Sequence, residues 1–134
     1  MPKLSQIFVK SSLLYLLTGF ALGALILLQK GWAFWLPAWQ LLPLHIEIVI
    51  FGWMLQLVMG VAYWMLPRFG AERRRETAAW LAYCLMNGGI LLTFATLIAD
   101  ANVLRFFAKI LQVAAVGCFV FHAWPRIKPF SEVK

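Results

Sequence analysis

The chain has 134 residues, of which 63% are hydrophobic and 13% charged, and its mean hydropathy is +0.83. Its charged residues stand in clusters between long uncharged runs, which excludes an ordinary water-soluble domain and indicates an integral membrane protein. The net charge of +7 does not indicate nucleic-acid binding, because the run Arg73 to Arg75 is short and stands between Glu72 and Glu76 beside an apolar segment.

The apolar runs predict an all-α, integral membrane four-helix bundle that forms a single domain over residues 1–134. Each run can cross a hydrocarbon core of about 30 Å at about 1.5 Å per residue. The first run is longer than the apolar part of a signal peptide and no small-residue cleavage site follows it, so we expect it to remain in the mature protein. The four helices are expected at about residues 8–29, 44–66, 76–98 and 103–124.

Lysine and arginine residues at the helix ends predict the orientation, because cytoplasmic segments carry an excess of these residues. The N-terminal tail, the connection after the second helix and the C-terminal tail are rich in them, whereas the opposite side has only Lys30, Arg105 and Lys109. We therefore expect both termini on the cytoplasmic side. The basic residues on that side are Lys3, Lys10, Arg68, Arg73, Arg74, Arg75, Arg126, Lys128 and Lys134.

The first helix contains Gly19 and Gly23, a spacing that lets another helix approach closely, in the same chain or in a second one. After it comes a segment with Trp32, Trp35 and Trp39. Indole rings favour the depth of the lipid headgroups, so this segment is expected at the outer membrane interface.

The second helix begins with His45, and an imidazole inside a membrane span is a candidate functional group because its burial is costly without a partner. At 100° per residue, one stripe of this helix contains His45, Gly52, Gln56, Met59 and Tyr63. In this stripe His45 offers a metal ligand, Gly52 a surface without a side chain, and Gln56 a polar amide. Together they suit the binding of a flat macrocycle. A lone histidine is at least as often a packed residue hydrogen-bonded to a neighbour.

Residues 45–70 resemble helix II of haem-copper oxidase subunit I. The resemblance lies in His45, in Gly60 fifteen residues on, in Pro67 that closes the helix, and in the following Arg68 and Gly70. The stretch F-G-W-x-x-Q-x-x-x-G-V-A-Y-W-M-L-P-R is similar to small subunit-I-like proteins and to the nitric oxide reductase side of that superfamily. The resemblance implies that His45 is an axial ligand of a low-spin haem b near the outer face.

The same resemblance implies no binuclear catalytic centre, because this chain has only one other histidine, His122. His45 and His122 are predicted at opposite faces, roughly 20 to 30 Å apart in depth, so they cannot hold one iron. We expect His122 to reach toward the cytoplasmic interface. A second axial ligand is expected from His45 of another chain, in a homodimer or a higher even oligomer that shares the haem.

Glu47 is about 200° around the helix from His45 and needs a partner within the membrane. Arg105 and Lys109 begin the fourth helix on the same outer side and share one face. They are candidates to pair with Glu47 or with the propionates of the haem, and lipid phosphates are the alternative partners. The candidate cofactor-binding residues are thus His45, Gly52, Gln56, Arg105 and Lys109, with His45 as the metal ligand.

The sequence therefore predicts a multi-pass protein of a bacterial or archaeal inner membrane that binds haem b and transfers single electrons, rather than a stand-alone oxidase. The electron donor and acceptor are not identified, and a quinol or a cytochrome would both be suitable. One alternative is a five-coordinate haem that binds nitric oxide or oxygen as a sensor or reductase. Another is a structural or assembly subunit without haem.

Overall fold

The structure, a computed structural model, describes residues 1–32, 36–67, 75–99 and 102–127. These ranges contain helices and their short connections, and four helices are long and apolar enough to cross a membrane. The predicted all-α four-helix class is therefore confirmed. Several residues used in the orientation and interface predictions lie outside the described residues: Trp35, Arg68, Arg73, Arg74, Lys128 and Lys134.

Helix α1 is Lys3–Gly31 and begins directly after Pro2, whose fixed φ suits the start of a helix. It is longer than the predicted range at both ends. Its polar ends carry Lys3 and Lys30, and a lysine in the last turn interacts favourably with the helix dipole. The hydrophobic run therefore marks the lipid-facing part of a helix that continues beyond it.

Helix α2 follows a 3₁₀ segment, Leu36–Leu41, and consists of three continuous parts. They are an α-helical turn at Leu42–Glu47, a π-helical segment at Ile48–Leu55, and an α-helix at Gln56–Met65. The helix ends where Leu66 adopts an extended conformation, because a residue before proline is disfavoured in the α region. Pro67 thus terminates the helix, as the sequence predicted.

Helix α3 is Glu76–Ala99 and helix α4 is Asn102–Ala123, followed by one 3₁₀ turn at Trp124–Arg126. Glu76 lies in the first turn of α3, where a carboxylate interacts favourably with the helix dipole. The 3₁₀ turn contains Pro125 and closes the last helix at the predicted position.

Small residues bring the helices together in two pairs, α1 with α2 and α3 with α4. A Cβ atom added at Gly19 would lie 2.8 Å from Val49 Cγ2, and one added at Gly89 would lie 2.7 Å from Gln112 Cγ. Without a hydrophobic driving force between helices in lipid, such close contact between backbones is a main source of their association. The close approach predicted from Gly19 and Gly23 is confirmed, and the partner is α2 of the same chain.

The two helix pairs share an aromatic core near one end of the bundle. The ring of Phe8 lies 5.1 Å from that of Tyr83 and 6.5 Å from that of Phe119, both in edge-to-face geometry. We call this end, where α4 finishes, the His122 end. The opposite end, where α2 starts, is the His45 end.

Candidate functional site

His45 lies at the start of α2 with its ring against α1. Its Nδ1 atom is 2.8 Å from the carbonyl oxygen of Gly19, so Nδ1 carries the proton and donates this hydrogen bond. A Cβ atom added at Gly23 would lie 2.8 Å from Cε1 of the imidazole. The two glycines therefore fix the ring, one through its carbonyl and the other through its missing side chain.

This hydrogen bond leaves Nε2 as the basic nitrogen of His45. Within the part of the chain that the structure describes, Nε2 makes no hydrogen bond. Histidines that bind metals usually donate their other ring N–H to a carbonyl or carboxylate, which fixes the tautomer and the ring plane. The arrangement of His45 is thus suited to binding a metal through Nε2.

The stripe predicted on α2 is divided between two neighbours. Gly52 faces α1, and a Cβ atom there would lie 2.7 Å from Cγ of Tyr15. Tyr63 instead stacks on His122 of α4, with ring centroids 5.2 Å apart. The space beside Gly52 is therefore occupied by the Tyr15 ring rather than open to a macrocycle.

The π-helix at Ile48–Leu55 explains why an ideal helical projection is insufficient here. In a π-helix each backbone N–H bonds the carbonyl five residues back, so residues before and after the segment do not keep the α-helical angular relation. Such segments are frequent at functional sites. In this chain the π-helix begins directly after Glu47 and three residues after His45.

Gln56 is fully buried at the end of the π-helix. Neither its Oε1 nor its Nε2 atom has a hydrogen-bond partner among the described residues. A buried amide without partners carries the full cost of its desolvation, and such a group in a native protein calls for a water, an ion or a ligand. Gln56 thus remains a polar group suited to an additional ligand.

Glu47 faces α3 and α4 and is only 5% exposed. It forms an ion pair with Lys109, accepts a hydrogen bond from Nε2 of Gln112, and lies 3.2 Å from Oγ1 of Thr93. Of the three partners considered from the sequence for Lys109, which were Glu47, the propionates and lipid phosphates, the structure has Glu47. The charge of the carboxylate is therefore compensated within the bundle.

Arg105, the other predicted cation, is exposed one helical turn before Lys109 on α4. It lies at the His45 end, whereas the Lys109 ammonium lies against Glu47, with 52% of the Lys109 side chain exposed. The structure thus brings Glu47 and Lys109 into contact, and it leaves Arg105 on the surface of the same end.

His122 is completely buried, and the expectation that it reaches toward the interface is wrong. Its Nδ1 atom is 2.9 Å from the carbonyl oxygen of Arg75, and its ring packs between Tyr63 and Phe119. Reaching toward water suits a histidine at a helix end with an open path to the surface. Here the aromatic neighbours close that path, and their positions follow from tertiary packing.

Two residues of the Glu47 cluster were not predicted from the sequence, namely Thr93 and Gln112. Both are polar side chains in otherwise apolar helices, and such residues often form hydrogen bonds between helices. Gln112 is 1% exposed and lies one turn after Lys109, so a search for polar residues on the face of Lys109 would have identified it.

The fold and these contacts define a multi-pass helical membrane protein with a buried ion pair and an oriented histidine at the same end of the bundle. A comparison with known protein families, curated protein sequences and solved structures found no match. The resemblance of residues 45–70 to helix II of haem-copper oxidase subunit I accordingly depends on the residues quoted above.

Proposed function

We propose that this protein binds haem b through His45 and transfers single electrons in the membrane. The observation that supports the proposal is the hydrogen bond from His45 Nδ1 to the Gly19 carbonyl, which leaves Nε2 available to a metal. Haem, when bound, supplies a one-electron redox centre whose potential depends on axial ligands, burial and nearby charge.

The residues around His45 would control that centre in three ways. Gly19 holds the imidazole in one tautomer and one ring orientation. Gly23 provides room for the ring against α1. The pairing of Glu47 with Lys109 compensates a buried negative charge two residues from the ligand, so the potential would not be lowered by an unpaired carboxylate.

Arg105 is the cation best placed to contact the propionates, because it is exposed at the His45 end and a guanidinium binds carboxylates through two parallel hydrogen bonds. The second axial ligand would come from His45 of a second chain. His122, the other histidine of this chain, packs at the opposite end of the bundle.

We also propose a bacterial or archaeal inner membrane as the location, with both termini in the cytoplasm. The support is the excess of lysine and arginine in the two tails and after α2. Fusions of a fluorescent protein and of alkaline phosphatase to the C-terminus test this orientation. Fluorescence without phosphatase activity is expected, and the reverse result would contradict the orientation.

Visible spectra of the purified protein, oxidised and reduced, with and without carbon monoxide, test the haem proposal. A low-spin spectrum that carbon monoxide does not change is expected. A carbon monoxide adduct would instead support the five-coordinate sensor or reductase, and a protein without haem absorbance after expression with sufficient haem would support the structural subunit.

The variant His45→Gly identifies the ligand. It is expected to lose haem, and millimolar imidazole is expected to restore the spectrum by entering the space of the missing side chain. His122→Ala is the matched control, since it removes the other imidazole from the opposite end of the bundle. Equal haem loss in folded His122→Ala protein would contradict the assignment of His45.

A further inference from the structure

An apolar cleft of about 440 Å³ lies between α1, the start of α2 and α3. Its volume is in the range typical of small-molecule sites, which are about 300–1,000 Å³. The walls are aliphatic and aromatic and come from three helices. Its apolar lining includes Leu22, Leu25, Leu44, Ile48, Ile90 and Phe94.

A smaller cleft of about 280 Å³ adjoins this one, because Tyr15 and Thr18 line both, and we call it the polar cleft for its hydroxyl and amide side chains. The polar cleft also contains Ser11 and Asn87. The Tyr15 hydroxyl donates a hydrogen bond of 2.8 Å to Oδ1 of Asn87. The two adjoining clefts thus offer an apolar part and one end with polar side chains.

The polar end has one donor and one acceptor left for a ligand. Asn87 Nδ2 uses one hydrogen for the Tyr83 carbonyl, at 2.9 Å, and its second hydrogen has no acceptor among the described residues. The Tyr15 hydroxyl gives its hydrogen to Asn87, so the lone pairs of its oxygen can accept a hydrogen bond. A carbonyl oxygen of a ligand can accept a hydrogen bond from Asn87 Nδ2, and a hydroxyl of a ligand can donate one to the Tyr15 oxygen.

These two groups lie at the middle of the membrane spans. Tyr15 is twelve residues after Lys3 on α1 and Asn87 is eleven residues after Glu76 on α3, which places them about 18 and 16 Å along their helices. Both positions lie inside the candidate membrane-spanning helices. A phospholipid cannot bring its charged headgroup to this depth without a large desolvation cost.

We propose that the combined cleft binds a prenylated quinone or quinol. The ring would lie beside the hydrogen-bonded pair of Tyr15 and Asn87, with a quinone carbonyl accepting from Asn87 Nδ2 or a quinol hydroxyl donating to the Tyr15 oxygen. The apolar tail would follow the aliphatic cleft toward the His45 end. A neutral ring with paired oxygen atoms and an apolar tail matches the depth, the polarity and the shape of the site.

The quinone site is independent of haem binding, because His45 does not line either cleft. The test is calorimetric binding of a benzoquinone with a decyl tail to the detergent-solubilised protein. Decylbenzene, which has the same tail on a ring without oxygen atoms, serves as the ligand control. The quinone is expected to bind in the wild type and in His45→Ala alike.

Two substitutions remove the polar contacts and a third closes the cleft. Asn87→Leu and Tyr15→Phe are each expected to weaken quinone binding about five- to tenfold, which corresponds to the loss of one hydrogen bond. Tyr63→Phe is the control for Tyr15→Phe, because it also removes a tyrosine hydroxyl but does so at the His122 end. It is expected to leave quinone binding unchanged. Ala21 also lines the apolar cleft, so Ala21→Trp fills the cleft and is expected to abolish binding. Leu13→Trp, on the lipid-facing surface of the same helix, is its control.

The results separate the quinone from other occupants. Binding of decylbenzene as tight as that of the quinone, or displacement of the quinone by added phospholipid, would show that the cleft only holds lipid tails. Unchanged quinone affinity in Asn87→Leu and Ala21→Trp would place any bound quinone elsewhere. If Asn87→Leu does not fold, the comparison of Ala21→Trp with Leu13→Trp decides the question.

Discussion

Lys109 of α4 and Glu47 of α2 form an ion pair that joins the two helices at the end of the bundle where His45 lies. The carboxylate is almost fully buried, whereas about half of the lysine side chain is exposed. The lysine therefore lies half outside the bundle while it compensates a charge that is buried inside it. This asymmetry decides which substitution is costly.

Removal of the lysine is expected to destabilise the protein more than removal of both charges. Lys109→Met should lower the free energy of unfolding by roughly 2–4 kcal/mol, because the buried Glu47 then loses the cation that compensates it. The double variant Glu47→Gln with Lys109→Met should recover at least half of that loss. Unfolding in mixed detergent micelles, followed by circular dichroism, measures both values.

The control for this pair is Arg105→Met, which removes a cation one turn earlier on the exposed surface of α4. An exposed cation contributes little to stability, on the order of 1 kcal/mol or less. Equal destabilisation by Lys109→Met and Arg105→Met would contradict a special role of the Glu47 contact.

Gly23→Ala is expected to displace the His45 ring. The added Cβ atom would lie 2.8 Å from Cε1, a distance that requires the imidazole or α1 to move. Overpacking of this kind costs about 1–3 kcal/mol, and the ring can relieve it by giving up its bond to Gly19. We expect lower stability and at least tenfold weaker haem retention in the same variant.

Gly88→Ala is the matched control for Gly23→Ala, since a Cβ atom at Gly88 meets no atom within 4 Å. Alanine in place of a helical glycine stabilises by about 0.5–1 kcal/mol when there is room for it. Gly88→Ala should thus be slightly more stable with unchanged haem content. If Gly23→Ala behaves in the same way, the imidazole does not lie against Gly23.

Gln56→Leu is expected to leave the stability unchanged or to raise it by about 1–3 kcal/mol, because the amide is fully buried and lacks hydrogen-bond partners among the described residues. Gln112→Leu is expected to lower the stability by about 1–3 kcal/mol, since it removes a hydrogen bond to the Glu47 carboxylate. Detergent unfolding of the two variants compares the same chemical change at two buried positions. A clear loss of stability in Gln56→Leu would show that Gln56 has a partner such as a bound water or ligand.

The membrane spans could be predicted because charged residues and Pro67 and Pro125 limit the apolar runs. The partner of Glu47 was among the predicted alternatives for a simple reason: a buried carboxylate needs a cation, and few are available at that depth. The π-helix could not be predicted from residue types, and it changes which residues share a face. The burial of His122 and the contact of Tyr15 with Gly52 depend on packing between distant parts of the chain.

The second axial ligand is expected to come from a second chain. A bis-imidazole haem shared by two chains requires one haem per two chains and a symmetric contact near His45. Gly52 and Gly60 cannot form that contact, because Tyr15 and Phe8 of the same chain already lie against them. The exposed face of α2 is available instead, and its apolar residues recur every four positions beside His45: Ile46, Ile50, Met54 and Val58.

Haem and protein quantification on the intact complex is expected to give one haem per two chains. In a background of Cys84→Ser and Cys118→Ser, which removes the two cysteines, the variant Ile50→Cys should form a disulfide-linked dimer on mild oxidation. Leu91→Cys is the control, because Leu91 is even more exposed than Ile50, 64% against 44%, but lies on α3. A haem-loaded monomer, or equal cross-linking at both positions, would show that the second ligand does not come from a dimer formed through α2.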